Sequence, residues 1–208
     1  MFADRAEAGV RLAAALAGRL PADALVLGVP RGGVVVAAEV ARALALELDV
    51  VVVRKIGAPG NAEYAIGAVD EDGNVIGAAT RAVDPGYLER AAADGRAEIV
   101  RRLAAYRGDR PQPRLAGRTV AIVDDGIATG MTLMAAVGSL RRRGTARVLT
   151  AAPVASQSAV RDLERVSDEV VVLEAPAGFY AVGQFYRTFG QTPDADVVRL
   201  LAEAWDRT

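Results

Sequence analysis

The chain has 208 residues, 52% of them hydrophobic, and 25 basic residues nearly balance 26 acidic ones for a net charge of −1. That length suits one α/β domain with an appendage and a proper buried core, and the charge balance gives no global pull toward nucleic acid. Neither cysteine nor histidine is present, which excludes disulfides, thiolate chemistry, Ser-His-Asp and Cys-His catalysis, and zinc sites built on imidazole.

Apolar residues Val10, Leu12, Leu16 and Leu20 recur at helical spacing and predict an amphipathic helix over Ala3–Leu20. Asp4, Arg5, Glu7 and Arg11 interrupt this stretch, so no signal peptide is expected. No later segment approaches membrane-spanning length free of charge, and a cytoplasmic protein with no membrane partner is the expectation. Leu25–Val29 reads as a short strand, followed by Pro30-Arg31-Gly32-Gly33 and a helix through about Leu46. The bare backbone of that loop and its one guanidinium suit an anion, although an ordinary glycine-rich turn would look the same. Val50–Val53 is a β-branched run of the kind buried on both faces of a sheet. It ends in Arg54-Lys55, and the Gly- and Pro-rich segment Ile56–Asn61 has no helical pattern and reads as a candidate lid.

Ala65–Val69 and Asn74–Ile76 flank Asp70-Glu71-Asp72-Gly73, a hairpin signal with its turn at Asp72-Gly73. Leu88–Tyr106 predicts a long helix whose Arg90, Arg96, Arg101, Arg102 and Arg107 interleave with Glu89, Asp94 and Glu98. Mixed signs and few aromatics make this a solvated face and not a nucleic-acid surface. Strands at Thr119–Val123, Arg147–Ala152 and Glu169–Leu173 alternate with helices at Thr132–Arg143 and Ser156–Arg165. Such alternation implies a parallel sheet flanked by helices, a Rossmann-like α/β fold. Ligands then sit beyond the carboxyl ends of the strands, where Pro30, Arg54 and Asp124 fall.

The most informative segment is Val120–Thr132. A buried strand ends in Asp124 and Asp125, a loop of small and hydroxyl residues follows (Gly126, Ile127, Ala128, Thr129, Gly130, Met131, Thr132), and then a helix begins. Free amides at that helix N-terminus favour an anion, and Thr129 and Thr132 offer hydroxyl donors. Gly126 and Gly130 let the backbone approach closely. Carboxylates would repel a phosphate, so the acids should face sugar hydroxyls or a metal ion. Both reach one ligand only if the strand has ended by Asp125, because successive strand side chains point oppositely.

The string Val123–Thr132 resembles the ribose 5-phosphate signature of type I phosphoribosyltransferases, and the resemblance extends over about Leu25–Leu173. It implies that Asp124 and Asp125 hold the ribose 2- and 3-hydroxyls while Gly126–Thr132 cradles the 5-phosphate of phosphoribosyl pyrophosphate. It also implies that Pro30–Gly33 binds the pyrophosphate, with a non-proline cis bond at Arg31–Gly32, and that Arg54 and Lys55 reach the same group. Arg31, Lys55, Asp124 and Asp125 are then the catalytic candidates. Mg²⁺ is the implied cofactor, held mainly by substrate oxygens, and no protein ligand is assigned to it. The family's 6-oxopurine enzymes carry an acid where this chain has Ala128, so hypoxanthine and guanine are disfavoured acceptors.

One domain over 1–208 is expected, with its core at about 25–173 and a hood from 174–208 together with the N-terminal helix. The hood holds Phe179, Tyr180, Phe185, Tyr186 and Phe189, five of the nine Phe and Tyr residues. Most of these rings are expected to form a satellite core docking the last helix around Val197, Leu200, Leu201 and Trp205, with one or two left for a planar base. The implied partners are phosphoribosyl pyrophosphate and a nucleobase or other amine; no nucleic acid is expected, and a homodimer is left open. The rival reading is a non-catalytic module that senses phosphoribosyl pyrophosphate. A phosphatase using a strand-end aspartate is disfavoured, since that chemistry wants acids two apart and these are adjacent.

Overall fold

A computed structural model describes residues 1–77 and 83–207; positions 78–82 of the expected core and position 208 of the expected hood lie outside the described residues. Five parallel strands form the main sheet in the order β2-β1-β6-β7-β8: β1 (Leu25–Gly28), β2 (Glu47–Val50), β6 (Thr119–Val123), β7 (Arg147–Val154) and β8 (Glu169–Glu174). Alternation along these strands divides the core into two layers. Val26, Ala121, Val123, Leu149 and Ala151 face α1 (Arg5–Leu16), α2 (Gly32–Leu44), α3 (Pro85–Arg107) and α6 (Asp194–Trp205). Leu25, Leu27, Val120, Ile122 and Val148 face α4 (Met131–Arg142) and α5 (Gln157–Leu163). The expected α/β architecture is the observed one. No helix among the described residues is long and apolar enough to cross a membrane.

A second, antiparallel sheet of β3 (Arg54–Ala58), β4 (Asn61–Val69) and β5 (Val75–Ile76) forms an arm beside α4. The segment read as a lid is therefore a hairpin turning at Pro59-Gly60. The second hairpin, with its turn near Gly73, matches the expectation.

The strand expected at Val50–Val53 lies earlier, at Glu47–Val50, although Val51 and Val52 are buried. Val51 N–H gives a last bond to the Gly28 carbonyl at 3.1 Å. Val52 N–H donates instead to the Glu71 carboxylate at 2.8 Å, and the ladder stops there.

That carboxylate belongs to a buried ionic cluster. The Arg107 side chain, 8% exposed, lies 2.9 Å from Asp49 and 3.6 Å from Glu71, each only 3% exposed, and donates to the Val50 carbonyl at 2.8 Å. Arg143 reaches Glu71 at 3.3 Å, Asp70 pairs with Arg142, and Ser139 donates to Asp72 at 3.2 Å. The acidic turn Asp70-Glu71-Asp72 is thus clamped to the C-terminal end of α4, where cations also suit the helix dipole. Arg107 departs from the solvated face expected of α3, whereas Arg96, Arg101 and Arg102 pair along its surface with Glu89 and Glu98. Burial raises the Asp49 carboxyl above its ordinary range, outweighing the pull of Arg107. Removing the shared cation would leave the buried Asp49 carboxylate with no cation and Glu71 with Arg143 alone. Arg107→Leu is expected to lower the unfolding free energy by about 3 kcal/mol or more in urea titrations, while Arg101→Ala on the exposed side of the same helix leaves it nearly unchanged.

Candidate active site

Strand β6 ends at Val123, so Asp124 and Asp125 both stand beyond the ladder. Asp124 N–H still reaches the Ala151 carbonyl at 3.1 Å, and Asp125 N–H turns onto the Asp124 carboxylate at 2.8 Å. Asp125 Oδ2 accepts a 2.6 Å bond from Arg5 Nε, and the Asp125 carbonyl accepts one from the Tyr186 hydroxyl, also 2.6 Å. The first turn of α2 presses on the pair. A methyl group on Gly32 would stand 2.0 Å from Asp125 Oδ2, and one on Gly33 would stand 2.8 Å from the Asp124 Cα. Burial pushes the Asp124 carboxyl well above the usual carboxylate range, and the charge of Asp125 adds to that. Burial raises Asp125 as well, with the Arg5 guanidinium holding it back.

The loop after the acids is braced from behind. Ile127 N–H donates to Val154, Ser156 N–H to the Ile127 carbonyl, and Ser156 Oγ to the Ala128 carbonyl at 2.6 Å. With those carbonyls engaged, the amides of Ala128, Thr129, Gly130, Met131 and Thr132 have no protein acceptor among the described residues. Gly130 caps α4 with φ 73°, a left-handed conformation that glycine adopts without strain. Gly126 serves a close approach of another kind than the one expected: its missing side chain makes room for Val182, whose Cγ1 would stand 2.3 Å from a methyl there.

An open cleft of about 320 Å³ lies over this loop, lined by Lys55, Ala65, Asp124 and Gly126–Leu133. That is the lower end of the range for small-molecule sites. Of the residues expected in the site, Lys55, Asp124, Gly126, Ile127, Ala128, Thr129, Gly130, Met131 and Thr132 meet there, with Ala65 of the arm and Leu133 as unanticipated neighbours. Asp125 stands beside the cleft, turned to Arg5. Pro30, Arg31, Gly32 and Gly33 are not in its lining; the two glycines pack on the acids, and the charge of Arg31 is felt at the Tyr106 phenol. Arg54 is also outside it. Neighbouring strand residues face opposite ways, so Lys55 enters the cleft while the Arg54 stem lies toward Gly95 of α3. The non-proline cis bond is Pro30–Arg31, one residue before the expected place, since Gly32 already opens α2.

The chain ends form the hood. Phe2 N–H donates to the Phe185 carbonyl at 2.7 Å, and Arg187 N–H returns to the Phe2 carbonyl at 2.9 Å. Phe2, Ala8, Val154 and Tyr186 make a small core, with Phe179 and Phe185 paired at 5.3 Å and Phe189 stacked on Tyr186 at 5.0 Å. These rings hold the N-terminus and the acidic loop, not the last helix. Helix α6 packs instead on α2, α3 and β2, where Trp205 Nε1 donates to the Leu48 carbonyl at 2.9 Å. Tyr180 alone of the five is fully displayed, at 92% exposure.

Comparison with known proteins gives a consistent picture. Residues 5–182 match the family model described as a phosphoribosyl transferase domain. Two Mycobacterium tuberculosis proteins, from strains CDC 1551 and H37Rv and each named as a candidate phosphoribosyl transferase, are 44% identical over 98% of this chain. The chain spans about half the length of these curated relatives, 47%. The crystal structure of TT1426 from Thermus thermophilus superposes with a TM-score of 0.85 at 49% identity, covering 97% of this chain and 98% of that one.

A carboxyl that holds its proton more tightly in the folded state stabilises the fold at acid pH, and this contribution is lost as pH rises through its folded value. At neutral pH the acidic pair therefore opposes folding. Asp124→Asn is expected to stabilise the protein by about 1 kcal/mol at pH about 8. In thermal melts that gain should shrink toward the ordinary aspartate value of 3.8, while ligand affinity falls at every pH.

Proposed function

The chain belongs to the phosphoribosyl transferase domain family, and from that membership we propose that it uses phosphoribosyl pyrophosphate and Mg²⁺ to transfer ribose 5-phosphate to a nitrogen base or another amine, releasing pyrophosphate. The observation that carries this reading is the run of unpaired amides at Ala128–Thr132, which lines one cleft with Lys55 and Asp124. A 5-phosphate suits the amides and the N-terminus of α4. The ribose hydroxyls suit the carboxylates, which would repel the phosphate itself.

In the transfer, the anomeric C–O bond to pyrophosphate breaks as a C–N bond forms on the opposite face, through a transition state resembling an oxocarbenium ion. Lys55 would offset charge gathering on the leaving group. The β3–β4 arm, which supplies Lys55 and Ala65, is suited to keeping water from the electrophilic carbon. Among the described residues no group of acids, Cys or His could cage a metal. A Mg²⁺ ion that keeps its waters and is held mainly by substrate oxygens would need no such cage and would supply further charge compensation when bound.

For the acceptor, Ala128 is exposed in the cleft lining and offers no charge to a purine ring nitrogen. Tyr180 is the most exposed ring of the hood, but it lies outside the cleft lining. The partners of this reading are small molecules, with no nucleic acid or membrane surface, in the cytoplasm.

One observation favours the second reading, a non-catalytic module that binds phosphoribosyl pyrophosphate and signals to a partner. Arg31 and Arg54 lie outside the cleft lining, which leaves Lys55 as its one basic residue among the described residues. A sensor need not stabilise departing pyrophosphate. The two readings separate when the protein, Mg²⁺ and phosphoribosyl pyrophosphate are mixed with a panel of nucleobases and small amines and pyrophosphate release is followed. Acceptor-dependent release is expected, with Lys55→Ala lowering kcat by about 100-fold and leaving ribose 5-phosphate affinity within a few-fold. Tight binding with no turnover on any acceptor would establish the sensor.

A further inference from the structure

Arg5 is the residue at the candidate site that sequence patterning gave no reason to single out. It occupies the first position of α1, where the helix dipole disfavours a cation. Its neighbours make that position well defined. Asp4 caps the helix by accepting from Glu7 N–H at 2.9 Å, and the Glu7 carboxylate reaches back to Ala3 N–H at 3.2 Å, an arrangement close to a capping box. The Arg5 side chain, 12% exposed, is held on three sides. Nε donates to Asp125 Oδ2 at 2.6 Å, Nη1 donates to the Gly190 carbonyl at 2.8 Å, and the guanidinium lies 3.9 Å from the centre of the Phe189 ring. Gly32 leaves the space in which the Arg5–Asp125 bond forms; a methyl there would come within 2.6 Å of Arg5 Nε.

We propose that Arg5 is a positioning residue for the acidic pair: it fixes the Asp125 carboxylate toward the ribose hydroxyls and supplies the counter-charge that lets Asp124 and Asp125 be anions side by side. This rests on the ribose reading of the site given above. The energetic need is plain. Two adjacent carboxylates in a half-buried place repel each other and resist ionisation, and a protonated carboxyl is a poorer acceptor for a sugar hydroxyl. The groups facing Asp125 are Arg5 from α1, Asp124 beside it, and Tyr186 from the hood, whose phenol also feels the charge of Glu7. From α2 the uncharged Gly32 packs on it. Arg5 is the one cation among them. Asp4 and Asp196 line a surface cavity of about 300 Å³ with it, yet its ion pair is with Asp125.

The role separates from mere structural support by its dependence on charge and pH. The probe is ribose 5-phosphate, with binding measured by calorimetry at pH about 6 and about 8. In parallel, the aspartate carboxyls of the ligand-free protein are titrated by carbon NMR, with Asp125→Asn used to assign them. Arg5→Gln is expected to move the titration of the pair upward by about one pH unit. It should also weaken ribose 5-phosphate by about tenfold, and more at the lower pH. Arg5→Lys, which keeps the charge but not the Nε geometry, should titrate close to the natural protein and bind about threefold more weakly. An Arg5→Gln protein that titrates and binds as the natural one overturns the proposal, and so does equal weakening by both substitutions at both pH values. If Arg5→Gln does not fold, Arg5→Lys decides: weakened binding with an unmoved titration supports the role, and natural behaviour in both overturns it. A titration that shifts as expected while even the natural protein ignores ribose 5-phosphate ends the ribose reading and the positioning role with it. The measured pairing of Arg5 with Asp125 would survive that result, so the two failures are distinguishable.

Discussion

Two carboxylates at the end of a buried strand repel each other and resist losing water, and much of the surrounding structure serves to tolerate that. Strand β6 stops at Val123, so both acids leave the ladder together. The first turn of α2 brings bare glycine against them, and the cation that meets Asp125 comes from the beginning of the chain, stacked on a ring from near its end. The hood is therefore more than a cover for the sheet. Its hydrogen bonds between Phe2 and residues 185–187 hold the two ends together, and that pairing sets where the guanidinium meets Asp125. Stability and ligand recognition pull against each other at this point, as is common where a polar site is built into a fold.

The sequence carried the central segment of the site well because three signals there agree. A short apolar, β-branched run, a string of small and hydroxyl residues, and an apolar helical stretch each have one structural meaning, and together they place the acids and the amides. Where signals disagreed, long-range ionic contacts decided. Val50–Val53 looks like a strand by composition, yet the Glu71 carboxylate takes the Val52 amide and ends the ladder early. Arg107 looks like one more surface charge on α3 and is instead buried between Asp49 and Glu71. Neither contact has a local signature, because the partners lie far apart in the chain.

The basic pair Arg54-Lys55 shows a different limit. The family resemblance implies that both serve one ligand, but the geometry of an extended strand sends neighbours to opposite faces. Only Lys55 enters the cleft. Most of the aromatic cluster is the small core its composition predicts, but it docks the N-terminus and not the last helix: hydrophobicity alone does not say which apolar surface a ring will cover. Arg5 was invisible for a related reason. Its partner is 120 residues away, and its position at a helix start argues, taken alone, against a cation.

Helix α4 has a geometric consequence of its own. Its first residues frame the loop of open amides, and its last turns, with Ser139, Arg142 and the adjoining Arg143, grip the acidic turn at the base of the arm. In the arm, Lys55 stands opposite Ala68, two residues from the gripped Asp70. One stiff rod thus acts as a ruler between the amides and the amine. An added residue in its middle would lengthen it by about 1.5 Å and turn one end by about 100°, swinging the ammonium group away from the loop while every contact within either half stayed whole. The spacing of the two groups across the cleft is written in the length of a helix whose middle touches neither.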